Sequence, residues 1–553
     1  MSDDHGHSGS PTGSHPGDLS VGGVEADRRL LQQAQAKGTL ATFGAYLKLS
    51  GPGWLQSAIT LGGGSLAGSL YLGVLGGFSL MWLQPLAMVL GIISLSAIGY
   101  VTLSTGERPF RAVNTHVSPI LGWGWALATC AANMVWCLPQ YSLATGVLQQ
   151  NLLPSVVGPD GALGDTGGKL VIVAFILTVT TVITWSYDRG GLGIRLYEYL
   201  LKAVVGVIVV CFFGVLFKLS FSEAGLPWDK IMAGFIPNPS SIFNPAPAFA
   251  PLLEAITPEH REFWSELIVG KQRDVVMAAA ATAVGINMTF LFPYTLLKRG
   301  WGPEFRGLAI FDLSTGMLIP FVLATSCVVI AAATQFHGIP QAGFGFDDNS
   351  VEVQVSDKHM TDYQGLLKRR LGTEAAELGE DELQTRLATI PVAERKIAAT
   401  LVTRSSADLA QALRPLTGDF FANVLFGIGV LGMTLSTITI LMLISGFVIC
   451  EMFGLPQTGW PYRLAMMAAA TGALGPFVWS KAAFWLAVPT SIFGLILSPI
   501  AFLTFFLLMN RPKLLGDSMP SGGRRVLWNV LMGVAVVIAV TASAYGIWVK
   551  VLR

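Results

Sequence analysis

Charged residues are scarce in this chain, whereas apolar residues are abundant. Only 12% of its 553 residues are Asp, Glu, Lys or Arg, and 52% are hydrophobic. This composition excludes a soluble protein and is typical of a chain that crosses the lipid bilayer several times. The formal net charge is +1, which excludes a general attraction to nucleic acid. We therefore expect an all-α polytopic membrane protein.

Motifs of enzymes and of resident metal sites are also missing. The sequence has no phosphate-binding loop, nucleophile elbow, paired catalytic carboxylates or His/Cys metal spacing. We expect no enzymatic activity, no resident metal and no cofactor. The cysteines are few and lie in or beside apolar segments, where we expect them to pack as small hydrophobic residues rather than as disulfides: Cys130, Cys137, Cys211, Cys327 and Cys450.

Apolar runs long enough to cross a bilayer, about 20 residues each, predict eleven transmembrane helices. They cover residues 49–75, 79–102, 119–147, 169–187, 197–221, 275–298, 307–334, 419–451, 463–480, 482–509 and 526–549. The polar segment 1–45 has neither the basic nor the apolar part of a cleavable signal peptide, and we expect a disordered tail there.

Basic residues in the short loops predict the orientation of the chain. They share one side of the predicted membrane, which the positive-inside rule assigns to the cytoplasm: Arg108, Arg111, Arg189, Arg195, Lys298, Arg299, Arg306, Arg463, Arg511, Lys513, Arg524 and Arg525. The N-terminus is then cytoplasmic, and we expect the plasma (inner) membrane of a bacterium.

The predicted spans and loops also give the domain organisation. After the cytoplasmic tail come helices 1–5 as a first repeat (46–221), an extracellular loop (222–274), helices 6–7 (275–335), an extracellular insertion (336–418), helices 8–10 (419–509), and a cytoplasmic loop with helix 11 (510–553). The insertion contains a charged, helix-favouring stretch, so we expect it to be partly helical. A surface elaboration is the first interpretation and a binding module is the alternative.

Glycines interrupt the first apolar run. Gly62, Gly63 and Gly64 are consecutive and precede Ser65. Lipid offers no hydrogen-bond partners, so unwound backbone at membrane depth is stable only where it is buried in protein or lines a polar cavity. The simpler alternative is that these glycines only allow close packing of helices.

A second interruption lies in the sixth apolar run, where Gly285, Asn287, Thr289 and Pro293 disturb the helical pattern. A proline kink is the simpler alternative here. Breaks in segments one and six together are typical of a five-plus-five inverted repeat that binds a small solute between the broken helices. We therefore predict a LeuT-type architecture with broken helices 1 and 6 and one additional helix.

The same residues resemble a known family. Gly51-Pro-Gly-Trp-Leu-Gln-Ser57 and the break after it resemble the opening of the Nramp divalent-metal transporters, and Gly285 to Tyr294 resembles their sixth helix. Ala410-Gln-Ala-Leu-Arg-Pro-Leu-Thr-Gly418 and Leu435-Ser-Thr-Ile-Thr439 resemble the approach to their eighth helix and its body. The resemblance covers about residues 45–550 apart from the enlarged outer loops, and it implies the Nramp fold.

The family's metal-binding side chains are replaced in this chain. Aligned without gaps from Gly51, its aspartate falls at Gly62 and its asparagine at Ser65; aligned from Gly285, its methionine falls at Thr289. The family histidine falls at Leu291, and its acidic proton-pathway pair falls near Cys137 and Gln140. The resemblance therefore implies the family scaffold without the usual metal site. In this respect the chain is similar to a branch of Nramp-related bicarbonate transporters.

Hydroxyls, one amide and free backbone groups remain at the two breaks. The candidate substrate-binding residues are Thr60, Gly62, Gly63, Gly64, Ser65, Asn287, Thr289 and Tyr294. If the first helix restarts after the glycines, the amides of Gly63, Gly64 and Ser65 lie at a half-helix N-terminus, which favours an anion. The residues predict a small anion or a neutral solute, and the resemblance makes bicarbonate the first choice.

Uptake of an anion against an inside-negative potential requires a coupled cation, because each charge costs about 2.3 kcal/mol per 100 mV. Sodium is the expected coupling ion, with Ala58, Leu61, Ser436 and Thr437 as candidate ligands. The alternative is that the two hydroxyls bond only to their own helix backbone.

We thus expect a secondary active transporter that moves a small inorganic ion by alternating access. A sodium-coupled bicarbonate symporter is the first hypothesis, and a carrier of a divalent metal cation (Mg2+ or Mn2+) is the alternative. A solute receptor that does not transport is the second alternative. We expect the protein to work as a monomer.

Overall fold

The computed structural model describes residues 18–188, 225–346, 355–404, 426–478 and 485–552, with scattered positions in 203–221 and 408–424. Every regular element within these ranges is helical, which confirms the all-α class. We number the described α-helices of eight or more residues in chain order. They are α1 Asp18–Lys37, α2 Thr39–Leu49, α3 Pro52–Thr60, α4 Gly63–Gly76, α5 Leu83–Thr105, α6 Pro109–His116, α7 Pro119–Val147, α8 Gly164–Asp188, α9 Pro258–Ala283, α10 Ile286–Lys298, α11 Arg306–Leu313, α12 Ile319–Phe336, α13 Asp357–Leu371, α14 Glu380–Thr389, α15 Val392–Thr400, α16 Phe426–Phe453, α17 Gly459–Met466, α18 Ala487–Met509 and α19 Gly522–Ile547.

Eight helical stretches in the described part of the chain are long and apolar enough to cross a membrane, and the bent pair α3 and α4 makes a ninth. The predicted fifth segment, 197–221, lies mostly outside the described residues. The predicted ninth segment, 463–480, is divided among α17, a 3-10 helix over Met467–Leu474 and a short helix over Gly475–Val478. The 3-10 helix packs closely on α7, since a Cβ on Gly472 would lie 2.3 Å from the Cβ of Cys137.

We predicted a disordered tail over residues 1–45, but part of this segment is helical. It contains α1 and most of α2, and only 1–17 lie outside the described residues. Leu31 in α1 is almost fully buried, and Arg28 donates a hydrogen bond to the carboxylate of Glu304. The polar composition of the segment gave no indication that Leu31 would be buried or that Arg28 would pair with Glu304, which is distant in sequence.

Burial divides the spanning helices into an inner and an outer group. The most apolar windows of α16 and of the α9–α10 stretch are each 89% buried within the protein, against 22% for α8 and 28% for α19. A helix that is apolar on all sides and surrounded by protein belongs to a core, whereas an apolar exposed face in such a protein is suited to lipid. The broken helices and α16 therefore form the centre of the bundle.

Candidate functional site

The first broken helix bends between Thr60, the last residue of α3, and Gly63, the first residue of α4. The two half-helix axes differ by 54°. Gly62 lies in the gap with extended backbone, and a Cβ there would lie 2.3 Å from Thr437 Oγ1 on α16. Glycine is needed at this position because α16 approaches the unwound backbone too closely for any other residue.

Ser65 stabilises this break from the first turn of α4. Its hydroxyl donates to the carbonyl of Thr60 and, at 2.9 Å, to that of Gly62. No side chain caps the N-terminus of α4, so the predicted half-helix N-terminus is present, with the amides of Gly63, Gly64 and Ser65 in its first turn. The break therefore offers both backbone amides and backbone carbonyls.

The second broken helix is interrupted at Val284 and Gly285, between α9 and α10. A Cβ on Gly285 would lie 2.1 Å from the ring of Trp136 on α7. The indole Nε1 of Trp136 donates to the carbonyl of Thr490 on α18 at 2.6 Å. Trp136 thus packs between the second break and α18, and the predicted breaks in helices 1 and 6 are confirmed.

A cavity of about 40 Å³ lies between the two breaks. It is lined by Ile59, Thr60, Gly62, Gly64, Ser65, Trp136, Pro139, Gln140, Thr282, Gly285, Met288, Thr437, Ala487, Thr490 and Ser491. None of these residues is charged. Because a cavity needs at least about 10–15 Å³ of such space to hold one water molecule, this cavity has space for a small solute.

The structure places four of the eight predicted substrate residues on the cavity wall: Thr60, Gly62, Gly64 and Ser65. Gly63, Asn287, Thr289 and Tyr294 are buried nearby but do not line it. Thr289 Oγ1 instead accepts a hydrogen bond from Trp125 Nε1 at 2.9 Å. Tyr294 stacks on Phe290 at a centroid distance of 5.0 Å.

Met288 is a lining residue that the sequence argument missed. Its thioether sulfur lies 3.7 Å from Thr60 Oγ1, across the gap between the two broken helices. The ungapped alignment placed the family methionine one residue later, at Thr289. The break in the helix changes which side chain faces the cavity. An ungapped sequence alignment cannot show this change.

Helices α7 and α18 provide most of the other wall residues that were not predicted. Three of these residues belong to α7: Trp136, Pro139 and Gln140. Three others belong to α18: Ala487, Thr490 and Ser491. Pro139, a proline inside a helix, was a local signal in the sequence. Helix α18 has no break next to the cavity, so no local signal marked it.

Most hydroxyl groups of the wall share one hydrogen-bonding pattern. Thr60 donates to Gln56 O, Thr282 to Ala279 O, Thr437 to Met433 O and Thr490 to Leu486 O, each at 2.8 Å. Ser65 also donates to carbonyls of the break. A carbonyl only accepts, so each of these hydroxyls has committed its proton and has only lone pairs left for a solute.

The four predicted sodium ligands are brought to the same region. Ser436 Oγ lies 3.5 Å from Ala58 O, and Thr437 lies beside Gly62 on the cavity wall. Both hydroxyls donate to Met433 O on their own helix, as the alternative interpretation expected. The amide of Leu61 donates to Ser57 O at 2.8 Å, and Leu61 does not line the cavity.

Acidic and other metal-ligating side chains do not gather near the cavity. Among the residues that the structure describes, no group of three or more His, Cys, Asp or Glu side chains is arranged to hold a metal ion. The described residues that line the cavity likewise include no charged side chain.

Comparison with known families gives a match over most of the chain. The model of the family described as natural resistance-associated macrophage protein-like (Nramp) matches residues 53–378 and 387–548. A similar protein is "Metal transporter Nramp6.2" of Populus trichocarpa, which is 24% identical over 229 residues, 41% of this chain and 38% of that protein. The match thus spans well under half of the poplar protein's length.

Solved structures show the same fold. The manganese transporter of Eremococcus coleocola, as a histidine-to-alanine mutant, has a TM-score of 0.60 and 14% identity, and the match covers 91% of this chain and 87% of that one. The same transporter in complex with an aromatic bis-isothiourea substituted compound has a TM-score of 0.59 and 13% identity, with 91% and 88% covered. At these identities the likeness concerns the fold.

Proposed function

Because the chain belongs to the Nramp family of membrane transporters, we propose that it moves a divalent metal cation across the membrane by alternating access. The binding site is the cavity between the two broken helices, and Mg2+ and Mn2+ are the ions to test. The observation that carries this proposal is that the hydroxyls of five wall residues donate to backbone carbonyls: Thr60, Ser65, Thr282, Thr437 and Thr490. These five hydroxyls offer the cargo electron pairs rather than protons.

The other groups at the cavity support a cation as well. The Met288 sulfur is an acceptor, and it faces the hydroxyl of Thr60. The half-helices α3 and α9 end at the two breaks, and the C-terminal ends of half-helices carry partial negative charge from their last carbonyls. Broken transporter helices bind cations through such ends and through unwound carbonyls.

The absence of charge from the lining residues predicts how the ion is held. A divalent ion that loses its whole hydration shell without a carboxylate would be poorly compensated. The cavity of about 40 Å³ leaves room for water beside the ion. We therefore propose that the cargo enters partly hydrated and binds more weakly than it would to carboxylates.

Sodium-coupled bicarbonate transport is the second candidate, and one observation favours it. The amides of Gly63, Gly64 and Ser65 lie in the uncapped first turn of α4, which is an anion-favouring position. Sodium would then bind near Ala58 O and Ser436 Oγ. The name of the poplar relative and the acceptor character of the wall both favour the metal cation.

Uptake by vesicles that contain the purified protein tests both candidates. We expect entry of Mn2+ or Mg2+ without sodium and no entry of labelled bicarbonate. Gly64→Leu should abolish metal uptake, because a Cβ there already has Thr282 Cγ2 at 3.7 Å and a longer side chain fills the cavity. Gly533→Leu on α19 is the matched control, since a Cβ there has nothing within 4 Å. Bicarbonate uptake without metal uptake would overturn the proposal, and solute binding without any flux would indicate a receptor.

A further inference from the structure

Gln140 on α7 is a buried polar residue with unused hydrogen-bonding capacity beside the cavity. It lines the cavity and is 4% exposed. Its Oε1 atom is buried and has no hydrogen-bond partner in the described part of the protein. A buried polar atom without a partner is unfavourable unless a solute or water supplies one, so this atom points to a ligand.

The amide group of Gln140 lies against the first turn of α4. Oε1 is 2.8 Å from the position that a Cβ on Gly63 would take, and Nε2 is 3.9 Å from the corresponding position on Gly64. Gly63 allows this approach, because a Cβ there would push the amide away. A half-turn of the amide about its last bond exchanges oxygen and nitrogen, so either atom can face a solute.

Most of the other polar side chains of the wall already donate to backbone carbonyls. The hydroxyls of Thr60, Ser65, Thr282, Thr437 and Thr490 donate to backbone carbonyls, and Trp136 Nε1 donates to Thr490 O. Gln140 is the single side-chain carbonyl among the described residues that line the cavity. Carbonyl oxygens are ligands that Mg2+ and Mn2+ accept, although they bind more weakly than carboxylates.

We infer that Gln140 determines the ion specificity of the site, as the neutral oxygen ligand that contacts the cargo cation. This inference rests on the proposed function. A neutral ligand at this position leaves the ion's charge uncompensated and so favours an ion that keeps part of its water. A carboxylate in the same place would bind a divalent ion directly.

Substitutions of Gln140 test the inference by gain as well as by loss. Gln140→Glu should tighten Mn2+ binding to the purified protein at least tenfold in calorimetry, with binding that strengthens as the pH rises and the carboxyl ionises. Gln140→Leu should weaken Mn2+ binding at least tenfold. Gln150→Glu is the matched control, because Gln150 is exposed and does not line the cavity; it should bind Mn2+ as the wild type does.

The outcomes separate this inference from the proposed function. If the wild type transports Mn2+ and both Gln140 variants bind it as the wild type does, the inference is wrong and the proposed function stands. If the wild type transports bicarbonate and binds neither Mn2+ nor Mg2+, both are wrong. A loss in Gln140→Leu counts only with an unchanged melting temperature, and the gain in Gln140→Glu cannot arise from misfolding.

Discussion

The carboxylate of Asp312 holds the N-terminus of the broken first helix: its Oδ2 accepts a hydrogen bond from the backbone amide of Gly53 at 2.6 Å. Its Oδ1 accepts from the amide of Gly51 at 3.1 Å and from the hydroxyl of Ser50. A buried negative charge here compensates the uncapped amides and the partial positive charge of α3. The other end of α3 is Thr60, so Asp312 fixes a helix whose far end forms the cavity wall.

Loss of this charge should weaken both the fold and transport. Asp312→Asn retains the size of the side chain but replaces one charge-assisted acceptor with an NH2 group. That group is itself a donor and faces the donating backbone amides of Gly51 and Gly53. We expect a loss of about 1–3 kcal/mol in the free energy of unfolding, seen as a lower melting temperature in detergent, and slower metal uptake by vesicles. Asp517→Asn, at an exposed position, is the control. An unchanged melting temperature for Asp312→Asn would show that the carboxylate does not hold α3.

The close approach of α16 to the first break predicts a rescue experiment. Gly62→Ala places a Cβ at 2.3 Å from Thr437 Oγ1, so it should displace α16 and reduce uptake severalfold. Adding Thr437→Ala removes that oxygen and should restore part of the stability lost, as measured by the melting temperature. If the double variant is no more stable than Gly62→Ala alone, the clash with Thr437 is not the cause.

The segment that was predicted as an insertion, 336–418, contacts α9 through a buried acid. Glu394 is 1% exposed, and its Oε2 accepts from Trp264 Nε1 at 2.8 Å and from Arg370 Nε at 2.7 Å. Arg370→Leu leaves this carboxylate buried without its cation, and we expect a loss of about 3–5 kcal/mol. The measurement is thermal unfolding of the purified protein.

Replacing both partners of this ion pair provides the control. The double variant Arg370→Leu and Glu394→Leu removes the charge together with its counter-charge, so it should be more stable than Arg370→Leu alone. Equal melting temperatures for the single variant and the wild type would mean that this ion pair does not attach the segment 336–418 to α9.

His337 predicts a pH dependence of stability. The residue follows α12, and its Nδ1 lies 2.9 Å from the carbonyl of Val74 on α4. Burial lowers the pKa of His337 below its usual 6.5, and the hydrogen bond to Val74 opposes this in part. The unfolded chain therefore binds the proton more readily, so stability present at pH 7 should decline as the pH falls through about 6.5. Melting temperatures from pH 7.5 to 5 should fall less for His337→Gln than for the wild type; parallel curves would exclude this role.

The broken helices were predictable from the sequence because their signals are local. Gly62 and Gly285 both lie where another chain segment approaches the backbone within van der Waals distance, and glycine marks such places. Gln140, Thr490 and Ser491 reach the same cavity from unbroken parts of α7 and α18, and only the tertiary packing brings them there. The fold was thus foreseen more fully than the wall of the site.

The hydrogen bonding of the wall was the part that the sequence could not supply. Thr60 and Ser65 were predicted to belong to a site for a small anion or a neutral solute, and this stays a prediction. In the structure both donate to backbone carbonyls, and Met288 adds another acceptor. The direction of a hydrogen bond depends on which carbonyl lies near, and that is a property of the folded chain.

The sign of the transported charge is the property that most clearly separates a cation site from an anion site. Vesicles with a potassium diffusion potential, negative inside, should accumulate Mn2+ or Mg2+ in the absence of sodium, since 100 mV favours entry of a divalent cation by about 4.6 kcal/mol. Reversing the potential should suppress that uptake, and Gly64→Leu should abolish it. Accumulation of labelled bicarbonate under a sodium gradient, with Mn2+ and Mg2+ remaining outside at either potential, would contradict the proposal of a cation-binding cavity.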